Sequence, residues 1–176
     1  MSMKIYLTNL GKYVEGCLMG QWVKLPVPED KLADILVRIG VNEEYEEFFI
    51  TDYETSFHSL RDVLGEYESI DMLNELAEML DELSEDDEDK LNAIMECRNF
   101  KNIFDIVEQI QNLDNFDLLP DVDDDTALGY YYVDELGCFE IPDNIRNYFD
   151  YEAFGRDIRL ESDITYTSFG CLICND

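Results

Sequence analysis

The sequence predicts an α+β chain, and three observations carry that prediction. Apolar and polar residues alternate at the start and at the end of the chain, the pattern of half-buried strands. Over residues 62–110 apolar residues recur instead at three- and four-residue steps, the period of amphipathic helices. The composition shifts near Phe57 and becomes strongly acidic. The expected organisation is an N-terminal α+β domain over 1–60, a central helical acidic domain over 61–102 and a C-terminal α+β domain over 103–176.

Taken in order, Met3 to Leu10 alternates, with Ile5 and Leu7 on one face and Lys4, Tyr6 and Thr8 on the other. Gly11 and Gly16 bracket a turn, and Cys17 to Leu25 makes the second strand of a hairpin. Pro28-Glu29-Asp30 opens a helix, with proline early and acids in the first turn. That helix runs on Leu32, Ile35, Leu36 and Ile39, and Gly40 stops it. Phe48 to Tyr53 is a third strand. Ser69 caps a helix from Ile70, and Ser84 caps another from Glu85 to Arg98 that packs on Leu91, Ile94 and Met95. Phe100 to Ile110 reads as a helix on Phe100, Ile103, Phe104, Val107 and Ile110. An acidic loop, Asp121 to Asp125, precedes a helix from Thr126 to Leu136, which Gly137 ends, and Pro142 starts another. Asp163 to Cys174 alternates like a hairpin.

The stretch Glu66 to Asp89 holds twelve acids in 24 residues and no base. A like-charge block usually marks a disordered tail. Here Ile70, Leu73, Leu76, Ala77, Leu80 and Leu83 form a helical stripe, so the carboxylates sit in rows on a folded element. Like charges at i,i+4 cost a helix a few tenths of a kcal/mol per pair. The acids are Glu66, Glu68, Asp71, Glu75, Glu78, Asp81, Glu82, Glu85, Asp86, Asp87, Glu88 and Asp89; the last four lie in a first helical turn, where the macrodipole favours them. Asp114, Asp117, Asp121, Asp123, Asp124 and Asp125 continue the acidic surface.

The chain carries 42 acidic and 12 basic side chains, a net charge of −30. A magnitude of about 2–8 suffices for the solubility of a small domain. The first 61 residues hold six bases against ten acids, residues 62–99 two against fourteen, and residues 100–176 four against eighteen. Since 46% of residues are hydrophobic and 12% aromatic, the chain can bury a core. Such a protein repels nucleic acid and anionic membranes and attracts basic surfaces. With no signal peptide, no membrane-length apolar run and five cysteines, a cytoplasmic protein with reduced thiols is expected.

Enzyme signals are poor. The single histidine, His58, sits in an aromatic and apolar context that reads as structural. No GxSxG, P-loop, GxGxxG or HExxH is present. Asp121-Val-Asp123-Asp124-Asp125 opens like an EF-hand loop, but Thr126 stands where glycine is needed and Tyr132 where glutamate is needed. Cys171-Leu-Ile-Cys174 has CxxC spacing without a helix start or a second pair, and reads as strand residues. No catalytic group, metal or cofactor is expected.

Asn147 to Arg159 has a different character. Asp150 can cap a helical turn, Gly155 can take the left-handed conformation that ends it, and Arg156 can pair with a neighbouring acid. Tyr148, Phe149, Tyr151 and Phe154 are too many aromatics for a bare loop and call for packing against the sheet or a partner subunit. Tyr130, Tyr131 and Tyr132 leave aromatic surface that suits a dimer contact.

The run Asn147, Tyr148, Asp150, Tyr151, Glu152, Ala153, Phe154, Gly155, Arg156 and Asp157 resembles the antirestriction motif of the ArdA proteins. Asn9-Leu-Gly-Lys-Tyr13, Glu15-Gly16, Gly20-x-Trp22, Pro26, Ile39-Gly40, Asn42-x-Glu-Tyr-Glu-Glu47 and Asp52-Tyr53-Glu54 extend the resemblance to the N-terminus. The resemblance implies a non-enzymatic inhibitor of type I restriction–modification enzymes, carried by a mobile element such as a conjugative transposon or plasmid. It implies an elongated row of three small domains and a homodimer. Its carboxylates would imitate the phosphates of bent duplex DNA and fill the DNA groove of the methyltransferase core, built from specificity and modification subunits. Duplex DNA carries one charge per ~1.7 Å of axis, so thirty charges correspond to ~50 Å of DNA. An acidic chaperone for another basic, DNA-binding protein shares the charge but needs no elongated dimer. A small hydrolase needs a pocket that no constellation here supplies.

Overall fold

The computed structural model describes residues 3–57 and 59–175, so His58 lies outside the described residues. The chain forms two compact units. One comprises residues 1–84 and 100–108, the other residues 85–99 and 109–176. Each has a three-stranded antiparallel sheet, and the class is α+β.

In the first unit β1 (Lys4–Asn9) is the central strand of its sheet. Ile5 and Leu7 are fully buried, as the alternation requires. Thr8 is buried as well, contrary to its expected outward placement, and its hydroxyl meets that of Thr51 at 2.9 Å. Between Gly11 and Gly16 the expected turn is a short helix, α1 (Leu10–Val14). The Asn9 side chain caps it by accepting the Lys12 N–H at 2.9 Å. Gly16, at φ +83°, ends it in a Schellman motif, with the Cys17 N–H donating to the Lys12 carbonyl at 2.9 Å. The cap leaves β2 as Gly20–Lys24 only, antiparallel to β1.

Helix α2 (Glu29–Arg38) buries Ile35, and Gly40 at φ +83° closes it in a second Schellman motif. β3 (Phe48–Glu54) pairs with the other edge of β1. After the short α3 (Leu60–Val63) comes α4 (Ile70–Glu82). Its stripe is buried at Leu73, Leu76, Ala77 and Leu80. Ser69 precedes the helix as expected but makes no side-chain cap bond. Asn74 ties α4 to the β2–α2 connection, accepting the Val27 N–H at 2.8 Å and donating to the Val27 carbonyl at 3.0 Å.

Helix α5 (Glu85–Cys97) belongs to the second unit and buries Leu91, Ala93, Ile94 and Met95. Helix α6 (Ile103–Gln111) starts later than the periodicity indicates, because the Asn102 side chain accepts the N–H groups of Phe104 and Asp105 and sets the first turn there. Phe104 consequently faces solvent.

The second unit adds a strand the sequence reading lacks, β4 (Phe116–Leu119). It pairs with β6 (Gly170–Cys174), whose other edge carries β5 (Ile164–Thr167) in the expected hairpin. Helix α5 packs on this sheet, and Glu96 holds the β5–β6 turn by accepting from the Ser168 hydroxyl and, at 2.8 Å, from its N–H. Cys171 is a buried strand residue, and burial pushes its thiol up to about 11, so it holds no thiolate at neutral pH. The expected helix after the acidic loop has two parts: α7 (Asp125–Tyr130) and a π-helical turn, Tyr131–Glu135, before Gly137 at φ +63°. α8 (Asp143–Arg146) and α9 (Tyr151–Glu161) follow.

Candidate acidic interaction surface

On α4, Asp71, Glu75, Glu78 and Glu82 are spaced four, three and four residues apart. At 3.6 residues per turn they fall within about 60° of one another, opposite Leu73, Leu76 and Leu80, and span about 16 Å of axis. All four are exposed, and among the described residues none is in an ion pair. Asp81 flanks the row and is exposed. Ahead of α4, Glu66 is exposed, while Glu68 accepts the Gly65 N–H at 3.1 Å. At the start of α5, Glu85, Asp86 and Asp89 are exposed and Asp87 and Glu88 half-buried; Lys90 stands 3.6 Å from Asp87.

The remaining predicted acids do different things. Asp114, Asp121 and Asp123 are exposed. Asp117 accepts from the Asn175 side chain at 2.7 Å. Asp124 caps α7 by accepting the Ala127 N–H at 2.7 Å. Asp125 is turned inward: Arg159 donates to it at 2.7 and 3.1 Å and the Tyr166 hydroxyl at 2.9 Å. The Arg159 guanidinium beside it holds its carboxyl below the usual range.

The sequence reading places no carboxylate of the first 65 residues on the acidic surface. Glu15, Glu43, Glu44, Glu46 and Glu47 nevertheless line a cleft of about 530 Å³ in the first unit. The signal was the acidic run after Asn42. Asn42 folds that run back, its side chain accepting the N–H groups of Glu44 and Tyr45 at 2.8 and 3.1 Å, and the Tyr45 hydroxyl donates to Glu15 at 2.8 Å.

The stretch Asn147–Asp157 corrects one expectation. Asp150 caps α9, accepting the Ala153 N–H at 3.0 Å, but Gly155 does not end it. The helix runs six residues further, to Glu161, and Gly155 is buried where α9 crosses α7. A Cβ on Gly155 would stand 1.8 Å from the Asp125 carbonyl oxygen, and one on Gly129 would stand 2.1 Å from that of Tyr151. A mid-helix glycine can be a packing signal as well as a stop, and here it is the former. Phe149, Tyr151 and Phe154 pack on one another and on Tyr130 and Phe139. Tyr151 stacks on Tyr130 with centroids 3.9 Å apart, Phe149 meets Tyr151 and Phe154 edge-on, and Phe139 meets Phe154. Asn147, Tyr148, Glu152, Arg156 and Asp157 are exposed, Ala153 is half-buried, and Arg156 pairs with Asp157 at 3.2 Å. Tyr131 and Tyr132 pack on the core of Val122, Leu128, Ile164 and Cys171, which leaves Tyr130 as the exposed member of the three.

These motif residues therefore shape backbone: Asn9, Gly16, Gly40, Asp150 and Gly155 cap, terminate or cross helices. A pattern of that kind identifies a fold, and the family model described as Antirestriction protein (ArdA) matches residues 5–172. The chain belongs to the ArdA antirestriction family. No curated protein matches the sequence. Family membership gives the chain an antirestriction function and points to restriction enzymes as its partners. Among the described residues, no helix is long and apolar enough to cross a membrane.

Proposed function

We propose that this ArdA protein occupies the DNA-binding groove of type I restriction–modification enzymes by presenting carboxylates in place of the phosphates of bent duplex DNA. The observation that carries this reading is the α4 row. Asp71, Glu75, Glu78 and Glu82 are exposed and, among the described residues, free of ion pairs in a chain of net charge −30. Solubility does not require this, and a row of unpaired acids destabilises its own helix. Phosphate contacts position a DNA-binding protein without reading sequence, so one such surface serves against enzymes with different targets. The reading includes the three-domain row, a homodimer and action without catalysis.

Competition decides it. DNA and the protein should exclude one another from a type I methyltransferase. The protein's affinity should fall steeply as NaCl rises, as DNA binding does. The same salt should raise the unfolding midpoint of the free protein, because screening relieves its self-repulsion. An affinity that stays flat while the midpoint moves would mean that the carboxylates serve solubility alone.

A further inference from the structure

Four of the five residues 121–125 are aspartates, and one of them behaves differently. Asp121, Asp123 and Asp124 are exposed, whereas Asp125 is partly buried. Val122 anchors the front of the loop in the core, its N–H donating to the Leu119 carbonyl at 3.2 Å. The back is anchored by Asp125, which accepts two bonds from the Arg159 fork on α9 and one from Tyr166 on β5. Both partners are more than thirty residues away in sequence and sit on regular elements. Without a cation paired with it, a run of four carboxylates would spread by mutual repulsion. The chain has few bases, and here one is committed to an acid instead of to solvent.

We propose that Arg159 is a positioning residue for inhibition: by clasping Asp125 it sets the direction in which Asp121, Asp123 and Asp124 meet the restriction enzyme. The inference rests on the reading of this loop as part of the phosphate-mimicking surface. Arg159 lies beyond the residues of the antirestriction motif and makes its own contacts inward. Its effect on inhibition passes through the loop.

A cycle of variants tests this against a purified type I enzyme that the wild-type protein inhibits. Asp121, Asp123 and Asp124 are changed together to asparagine, in the wild-type chain and in Arg159→Met. The triple change should weaken inhibition about tenfold in the wild-type chain, from several lost charge contacts. It should add less than about twofold in Arg159→Met, where the loop is already misdirected and the partner contacts are no longer independent. Protection of the Ala127 amide, which Asp124 accepts at 2.7 Å, should drop in Arg159→Met while the sheet amides keep theirs. Arg159→Lys keeps the stem and charge but loses the fork, and it carries the same test if Arg159→Met does not fold. Losses that multiply in both backgrounds would overturn the inference and make Arg159 a fold residue only. A triple change without effect in the wild-type chain would instead remove the loop from the mimic surface, and the inference with it.

Discussion

Gly155 on α9 passes so close to Asp125 on α7 that a Cβ there would lie 1.8 Å from the Asp125 carbonyl oxygen. The obstacle is backbone, which a side-chain rotation cannot relieve. Gly155→Ala should therefore force α9 away from α7 and disturb the Asp125–Arg159 pair. A destabilisation of about 1–3 kcal/mol is expected, the range for overpacking a tight site. Denaturant melts measure it, and a variant as stable as the wild type would mean that the two helices separate freely.

The Asp125–Arg159 pair should show itself in pH dependence. The folded pKa of Asp125 lies below its ordinary 3.8, so the folded state favours the ionised form. The pair's contribution is complete above the ordinary carboxylate range and disappears as pH falls through the depressed folded value. Wild type should accordingly unfold at a higher temperature than Asp125→Asn at neutral pH, and the gap should close in acid. A gap independent of pH would assign the difference to shape instead of charge.

Charge on α4 should act collectively. Glu75→Gln alone should change affinity for the restriction enzyme by less than about fivefold, since one exposed ion pair contributes about 0.2–1 kcal/mol. Reversing Asp71, Glu75, Glu78 and Glu82 together should cost at least about a hundredfold and flatten the salt dependence. Titration calorimetry distinguishes these outcomes. A single neutralisation that abolished binding in a folded protein would reveal one discrete docking residue.

The proposed homodimer is best probed at Tyr130. Tyr130 is 47% exposed on its stack with Tyr151, whereas Tyr131 packs on the core with Val122 and Leu128. Tyr130→Glu should yield folded monomers, and Tyr131→Glu should lose the fold by placing a charge against that core. Sedimentation at micromolar concentration with a parallel melt separates the two. A dimeric Tyr130→Glu would place the contact elsewhere.

Local pattern was enough for much of this protein. The burial of Leu73, Leu76 and Leu80 on α4, the end of α2 at Gly40 and the β5–β6 hairpin were all legible, because each depends on residues a few positions apart. So was the α4 acidic row, since its exposure follows from the helical period of the leucines opposite. Sequence could not reveal that β4 exists, because its residues become a strand by pairing with β6 more than fifty residues later. Nor could it place Gly155 inside a helix: a glycine reads as a stop until a second backbone is known to occupy the space of its missing Cβ. Asp125 looked like its acidic neighbours for the same reason. Only tertiary folding brings Arg159 and Tyr166 onto its carboxylate, and that contact separates an acid that holds the fold from three that face solvent.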